Sequence, residues 1–165
     1  MKIAKIINNN VVSTCDEEGR EIIVMGRGVG FKAKEGSTID EEKVEKIFRL
    51  ESQNTMDKFK ELLENLPMEH VQISAEIIGY AKEVLNRPIN PNVYITLTDH
   101  INFALERYKQ KMMFSNPLIR EVRSFYHAEY LIGEYAIAMI ERDLGVKLPV
   151  DEAASIALHI VNAEY

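Results

Sequence analysis

The first 50 residues alternate short apolar runs with turn-forming residues, a pattern typical of β-strands. Three of the runs are rich in β-branched side chains, which favour strands: residues 2–7, 11–15 and 20–25. Asn8-Asn9-Asn10 separates the first two runs, and the acid-first, glycine-last segment 16–19 separates the second from the third. Residues 44–50 complete a predicted four-stranded antiparallel sheet, although their sequence also fits a helix.

After residue 66, apolar residues recur every three or four positions, which predicts amphipathic helices. The apolar stripes span residues 71–85, 93–108, 132–140 and 156–163. Asparagine followed by proline predicts a helix start at Asn90 and at Asn116, and Pro149 before Asp151 predicts another. Gly145 predicts a left-handed cap at the end of a helix. The pattern is that of an all-α bundle of about five helices.

The two patterns together predict an α+β protein with two domains. The polar segment 51–56 fits neither pattern and is the candidate linker, which ends near Asp57. A four-stranded sheet of about 50 residues buries too little apolar surface to be stable alone, so we expect it to dimerise. The apolar face that a second copy would cover carries Ile3, Ile7, Val12 and Ile23 or their neighbours.

The composition gives little sign of a nucleic-acid partner. The chain has 165 residues and a net charge of −6, whereas nucleic-acid-binding domains are usually basic. Residues 1–34 nevertheless carry a net charge of +2, so the remainder carries −8. The single cysteine, Cys15, has no partner for a disulfide, and the N-terminus does not resemble a signal peptide. No apolar run approaches the roughly 20 residues that span a bilayer, so we expect a cytoplasmic protein.

A glycine-rich loop, Gly26-Arg27-Gly28-Val29-Gly30, follows the third predicted strand. A dinucleotide-binding loop would need a helix to start there, but a further glycine, Gly36, interrupts the segment that follows. The loop is therefore either a wide turn or a place where a ligand approaches the backbone. Arg27 and Phe31 offer a planar cation and a stacking ring, and Lys5, Asn8 and Asn10 lie near the neighbouring turn. This set of side chains suits RNA better than DNA.

Two of the four histidines, His100 and His159, lie on apolar helical stripes, whereas His70 and His127 lie near predicted helix starts and are expected at the surface. A histidine on an apolar stripe is either a hydrogen-bonded core residue, a metal ligand or a nucleophile towards a phosphoryl donor. No HExxH or paired His/Cys spacing supports a metal site. No serine or cysteine nucleophile motif and no spaced carboxylate pair is present, so we predict no catalytic residues and no cofactor.

Four stretches of the chain resemble the BglG/LicT/SacY family of transcriptional antiterminators, in the family's order. They are KIINNNVV within residues 4–12, VMGRGVGFKAKEG at 24–36, YITLTDHINFAL at 94–105 and LPVDEAASIALHIVNAE at 148–164. The resemblance implies a co-antiterminator RNA-binding domain at residues 1–56, a linker at 57–65 and the first PTS regulation domain at 66–165. It also implies that the small sheet dimerises.

The resemblance implies that the sheet domain binds a hairpin in nascent mRNA, the ribonucleic antiterminator, and so prevents an overlapping terminator from forming. The residues that match the family's RNA contacts are Lys5, Asn8, Asn10, Gly26, Arg27 and Phe31. The family's helical domain is phosphorylated on histidine by sugar-phosphotransferase proteins, with a sugar-specific enzyme II and also HPr as candidate donors. His100 and His159 match the two regulatory histidines.

Family members carry a second regulatory domain with two more histidines, which this chain lacks. The helical pattern continues to Tyr165 without a cap, so we expect that the chain was cut between domains. Two other functions remain as alternatives: a DNA-binding activator with the same regulatory domain, and a phosphocarrier component of the phosphotransferase system. An activator of that kind would begin with helix-turn-helix segments, and the strand-rich N-terminus argues against it.

Overall fold

The computed structural model describes residues 1–112 and 115–165 of the chain. The chain divides into two compact units, Met1–Met68 and Glu69–Tyr165. Four strands come first and six α-helices follow among the described residues. This confirms the predicted α+β fold with two units. No helix in the described ranges is both long enough and apolar enough to cross a bilayer.

The first unit contains the four-stranded sheet predicted from the strand pattern. The strands are β1, Lys5–Asn8; β2, Val11–Cys15; β3, Glu21–Met25; and β4, Lys46–Phe48. They lie in sequence order and every neighbouring pair is antiparallel. The predicted turn before β3 is present, because the Asp16 carboxylate accepts hydrogen bonds from the backbone N–H groups of Glu18 and Arg20, each at 2.9 Å.

Both faces of this sheet are covered within one chain. Val12 and Val24, paired across β2 and β3, belong to a buried cluster with Ile3, Val29 and Ile39. Side chains alternate between the faces of a strand, so Ile23 and its partner Phe48 lie on the opposite face. There Phe59 of the first helix, α1 (Gln53–Asn65), packs edge-on against Phe48, with ring centroids 5.0 Å apart.

The expectation that a second copy covers Ile3, Val12 and Ile23 is therefore wrong. Their exposed fractions are 3%, 0% and 0% in the single chain. The strand pattern predicted that these side chains are buried, but it did not show that a long loop and a helix of the same chain bury them. Of the four residues expected on the dimer face, Ile7 is only half-buried.

Helix α1, Gln53–Asn65, contains all of the segment 57–65 that was expected to be a linker. The hydroxyl of Ser52 caps the helix and accepts a hydrogen bond from the backbone N–H of Thr55. The buried residues Met56, Phe59 and Leu63 are spaced three and four apart, as one face of a helix requires. The segment therefore packs on β1 and β3 and belongs to the first unit.

Five helices follow α1 among the described residues, which agrees with the predicted bundle of about five helices. They are α2, Met68–Leu85; α3, Val93–Lys109; α4, Ile119–Phe125; α5, His127–Leu144; and α6, Asp151–Ala163. Gly145 caps α5 with φ at 69° and donates to the carbonyl of Glu141, which confirms the predicted left-handed cap.

The helix starts predicted with Asn90 and Asn116 as capping residues, each before a proline in the first helical position, lie two residues too early. Each side-chain oxygen accepts a hydrogen bond from the backbone N–H two residues later, that of Asn92 or Leu118, at 2.9 Å. The asparagine therefore forms a local turn that leads into the helix instead of capping its first turn. The helices begin at Val93 and Ile119.

Helices α5 and α6 pack tightly where Gly133 meets the backbone of Ala153. A Cβ atom at Gly133 would overlap the carbonyl group of Ala153. We expect Gly133→Ala to destabilise the protein by about 1–3 kcal/mol, the range typical of overpacking. Gly79→Ala in α2 is the control, because a Cβ there meets no atom within 4 Å. It should stabilise the helix by roughly 0.5–1 kcal/mol in the same urea denaturation measurement. Equal effects of the two substitutions would contradict the close approach.

Candidate nucleic-acid interface and histidine pair

Three hydrogen bonds join the turn after β1 to the glycine-rich loop after β3. The backbone N–H groups of Gly26 and Gly30 donate to the carbonyls of Asn10 and Asn9, at 2.9 and 2.8 Å. The backbone N–H of Gly28 donates to the side-chain oxygen of Asn10 at 2.8 Å. The structure therefore brings together Asn10 and the loop, which the sequence placed at separate positions of one candidate site.

The glycines of the loop allow the chain to pack against itself. A Cβ at Gly26 would overlap the carbonyl of Lys43, and a Cβ at Gly30 would overlap the carbonyl of Asn8. Gly28 has a φ of 75°, which side chains disfavour. No helix begins at this loop, since residues 27–32 form turns and the chain then continues without helix to residue 40. The loop is therefore a wide turn whose backbone is held by hydrogen bonds, and it lacks the helix start that a dinucleotide-binding loop requires.

The side chains of Arg27 and Phe31 are exposed on this loop. The backbone N–H of Arg27 donates to the Glu45 carboxylate at 2.7 Å, which fixes the backbone at the arginine. The ring of Phe31 is 56% exposed, an unusual state for a large apolar side chain. Lys32 lies with its ammonium 5.4 Å from the centroid of that ring. Sequence reasoning missed Lys32, although its position directly after Phe31 in a basic segment could have indicated it.

Asn8 and Lys5 lie on β1, and their surroundings differ from those of the loop. The Asn8 side chain donates to the carbonyl of Leu63 at 3.2 Å and accepts from the backbone N–H of Asn10 at 2.7 Å. Its amide thus connects the turn to α1. Lys5 is exposed, and its charge helps to lower the pKa of Asp57, although hydrogen bonds from Gln53 and Lys60 are the larger causes. The structure places Lys5 beside α1 and not in the loop.

In the second unit, His100 and His159 come together although 59 positions separate them in the sequence. His100 lies on α3 and His159 on α6, and their ring centroids are 4.7 Å apart with planes inclined by 44°. Both side chains are half-buried. The pair is therefore a single site contributed by two packed helices.

A buried glutamate joins this pair to an arginine. Glu152, in the first turn of α6, places one carboxylate oxygen 3.0 Å from Nε2 of His100 and the other 2.9 Å from a guanidinium nitrogen of Arg107. The side chain of Glu152 is only 7% exposed. Arg107 was not among the residues predicted from the sequence. Its position seven residues after His100, on the same face of α3, was the available signal.

His159 lies beside a cavity of about 300 Å³. Burial, and then the charge of His100, lowers the pKa of His159 from 6.5 to about 4. Its imidazole is therefore neutral at pH 7, and neutral imidazole is the nucleophilic form. The polar side chains that line the cavity are those of Asn90, Asn92, Thr96 and Asn162. Their amide and hydroxyl groups can donate hydrogen bonds to the oxygens of a phosphoryl group.

The lowered pKa of His159 predicts a pH-dependent stability. The unfolded chain protonates this histidine below pH 6.5 and the folded protein only near pH 4, so stability is lost as the pH falls through that window. We expect His159→Asn to reduce this loss in urea denaturation of the full chain between pH 7 and pH 4. His127→Asn, which removes an exposed histidine, is the control. The same pH slope in wild type and His159→Asn would contradict the buried state.

The expectation that His70 lies at the surface is wrong. His70 is only 8% exposed, and its Nδ1 lies 3.0 Å from the side-chain oxygen of Asn102. It is a hydrogen-bonded core residue between α2 and α3. His127 begins α5 and is exposed. Among the described residues, no three histidine, cysteine, aspartate or glutamate side chains are grouped as ligands of a metal ion.

Comparisons with known proteins agree with this two-unit structure. The family model "CAT RNA binding domain" matches residues 1–57, and the family model "PRD domain" matches residues 75–163. The transcription antiterminator LicT of Bacillus subtilis (strain 168) is 48% identical over 164 residues, which are 99% of this chain and 59% of LicT. The β-glucoside operon antiterminator of Dickeya chrysanthemi is also 48% identical over 164 residues, 99% of this chain and 58% of that protein.

A solved structure matches nearly the whole chain. The crystal structure of GlcT CAT-PRDI superimposes with a TM-score of 0.86 at 34% identity, and the match covers 99% of this chain and 97% of that one. The chain spans about three fifths of the length of the two curated antiterminators. It belongs to the family in which a CAT RNA-binding domain precedes a PRD domain.

Proposed function

We propose that the protein is a sugar-responsive transcriptional antiterminator. Its first unit binds a ribonucleic antiterminator hairpin in nascent mRNA and so prevents formation of the terminator. Sugar-phosphotransferase proteins control this activity by phosphorylating histidines of the second unit. The relatives that match almost all of this chain are named as antiterminators, which supports the proposal. The glycine-rich loop also supports the proposal, because its backbone is held by a hydrogen bond and it exposes Arg27, Phe31 and Lys32.

The proposed RNA contacts follow from the chemistry of the exposed side chains. A guanidinium reaches phosphates or the edge of guanine, and an exposed aromatic ring stacks on an unpaired base. Arg27 and Phe31 take these two roles, and Lys32 adds a phosphate contact. Lys5, Asn8 and Asn10 extend the surface along the neighbouring turn. Gly26 contributes through its backbone, because a side chain there would displace the loop.

A chain with a net charge of −6 gains little from non-specific attraction to RNA. The basic residues must therefore act locally, and the excess of positive charge in residues 1–34 is consistent with this. We assign RNA binding to residues 1–56 and regulation to residues 66–165. Residues 57–65, as part of α1, complete the fold of the first unit.

His100 and His159 are the proposed phosphoryl acceptors, with a sugar-specific enzyme II and HPr as donors. A phosphoryl group adds close to two negative charges at neutral pH. At this pair the added charge would lie in a half-buried contact between α3 and α6, beside the ring of the second histidine. Its need for solvation would therefore disturb the packing of α3 on α6, and we expect phosphorylation to lower RNA affinity. A regulator of this kind is a cytoplasmic protein and not an enzyme.

The alternatives receive less support. A DNA-binding activator would need helix-turn-helix segments, and the first unit consists of a sheet and α1. A phosphocarrier would have to pass its phosphoryl group to another protein or to a sugar. A regulator, in contrast, keeps its phosphoryl group, which changes only its own affinity for RNA. Transfer from the phosphorylated chain to a phosphotransferase component would therefore favour the carrier.

One experiment tests the function as a whole. The full chain is titrated against the leader hairpin upstream of its own gene, before and after incubation with the phosphotransferase components. Mass spectrometry then maps the modified residues. We expect hairpin binding, phosphate on His100 or His159, and weaker binding after modification. Modification of neither histidine, or unchanged affinity after full modification, would leave them as hydrogen-bonded core residues.

We also propose that the protein is a homodimer. The dimer face cannot be the sheet faces that α1 and the long loop already cover. The full chain should sediment as a dimer at micromolar concentration, and a folded monomer there would contradict this. The full chain is used because α1 carries Phe59 and Leu63, both of which are buried in the first unit, and Phe59 packs on Phe48.

A further inference from the structure

Each oxygen of the Glu152 carboxylate has a partner on α3. Oε2 lies 3.0 Å from Nε2 of His100, and Oε1 lies 2.9 Å from NH2 of Arg107. The three side chains are 7%, 17% and 16% exposed, in the order Glu152, His100, Arg107. The carboxylate is therefore held in one orientation between two fixed groups. Arg107 can only donate, so it fixes the oxygen that His100 does not use.

This arrangement determines which nitrogen of His100 carries the hydrogen. A carboxylate paired with a guanidinium accepts hydrogen bonds and has no proton to donate. The hydrogen of the contact with His100 therefore belongs to Nε2. Only the neutral form of an imidazole has a lone pair with which to attack phosphorus, and in that form a hydrogen on Nε2 leaves the lone pair of His100 on Nδ1.

We propose that Glu152 is a positioning residue that makes Nδ1 of His100 the atom that accepts the phosphoryl group, and that Arg107 holds Glu152 in place. The inference rests on the proposed function in one respect, that His100 is a phosphoryl acceptor. It adds the reactive atom and the two residues that select it.

The transfer balances in atoms and charge. The Nδ1 lone pair forms a bond to phosphorus, and the bond from phosphorus to the donor's leaving group breaks, with its electron pair going to that group. The ring then carries substituents on both nitrogens and a positive charge. The Glu152 carboxylate stabilises this cation through the Nε2 hydrogen bond, as a buried carboxylate does for the histidine of a catalytic triad.

The test uses the full chain labelled with ¹⁵N in its histidines, with His100 assigned by comparison with His100→Gln. Nitrogen chemical shifts first give the tautomer of His100 in the unmodified protein. Phosphoramidate, a small chemical donor whose leaving group is ammonia, then modifies the protein. We expect hydrogen on Nε2 before the reaction and phosphorus on Nδ1 after it. Hydrogen on Nδ1, phosphorus on Nε2, or modification of His127 while His100 stays unmodified would each overturn the proposal.

Variants then test the role of Glu152. Glu152→Gln can donate or accept at Nε2, so it should lose the tautomer preference and slow Nδ1 modification about tenfold or more. Loss of a carboxylate that orients a metal-binding histidine has an effect of about 10–100-fold. Asp99→Asn is the matched control. It removes the same charge from an exposed residue next to His100, and it should leave the tautomer and the modified atom unchanged. Glu152→Asp keeps the carboxylate and should restore part of the preference.

These outcomes separate the inference from the proposed function. Phosphoramidate needs no phosphotransferase protein and no RNA, so a failure of sugar regulation would not alter the modified atom. Phosphorylation of His100 on Nε2 would overturn the role of Glu152 and leave the regulator intact. If Glu152→Gln does not fold, the tautomer of His100 and the nitrogen that is modified in the wild-type chain still test the proposal. Equal behaviour of Glu152→Gln and Asp99→Asn would overturn the proposal.

Discussion

Arg27→Ala is expected to weaken binding of the leader hairpin by about 1–3 kcal/mol, a loss from about fivefold to more than a hundredfold. The guanidinium is exposed, and the hydrogen bond from its own backbone to Glu45 fixes the position from which it reaches out. Phe31→Ala should cost a similar amount, because base stacking on an exposed ring contributes about 1–3 kcal/mol per base. Fluorescence anisotropy with a labelled hairpin at fixed salt measures both effects.

The controls separate a specific contact from a general loss of charge. Arg49→Ala removes the same charge from an exposed residue just beyond β4. Arg49 lines a cavity together with Cys15 and Arg20, and it is not part of the glycine-rich loop. It should leave the affinity nearly unchanged. Phe31→Tyr keeps the ring and should retain most of the binding. Unchanged affinity in both Arg27→Ala and Phe31→Ala would show that the loop is not the RNA face.

The sheet and the loop were predictable because their signals are local. Turn residues and β-branched runs alternate along the first 50 positions, and each turn joins neighbouring strands. The loop was also found, but the reason for its glycines was not. Gly26 and Gly30 make room for the carbonyls of Lys43 and Asn8, which are brought there by the tertiary fold. Glycines in a sequence indicate that the backbone can be approached closely there, but they do not identify the group that approaches it.

Helix α1 was missed because its exposed face is strongly polar and its apolar residues are few. Met56, Phe59 and Leu63 have helical spacing, and Ser52 is a good capping residue, so the signal existed at low strength. The wrong dimer face has the same origin. Without α1 in the prediction, nothing in the chain remained to cover Ile23, and a second copy was the only available cover.

The histidine pair could be predicted only in part from the apolar periodicity of the sequence. The periodicity placed His100 and His159 on apolar faces of two helices, but it could not show that α3 packs on α6 and brings the rings to 4.7 Å. The helical spacing also relates Arg107 and Glu152 to the two histidines. Arg107 lies seven residues after His100, and Glu152 lies seven residues before His159, so each shares a face with its histidine. Only the packing of the two helices joins these four residues.

The pair is expected to hold only one phosphoryl group per chain. Each phosphoryl group carries about two negative charges and each modified ring one positive charge, so two modified rings with centroids 4.7 Å apart would repel as two unit charges, by about 3 kcal/mol at an effective dielectric constant of 20. In bulk water the repulsion would fall to about 1 kcal/mol. The nearby carboxylate of Glu152 adds to the negative charge, and Arg107 is a single cation already bonded to that carboxylate.

Intact mass spectrometry of the chain incubated with the phosphotransferase components measures this occupancy. The chain with intact pair residues should gain a single phosphoryl group at the pair, with peptide mapping to assign it. His100→Gln and His159→Gln should each still accept one group on the remaining histidine, because removing one ring removes the repulsion and not the acceptor. His127→Gln is included in every sample, so that modification of this exposed histidine does not add to the count. A substantial population with phosphate on both His100 and His159 would mean that the helices separate far enough to relieve the repulsion, and that the pair does not act as a single site.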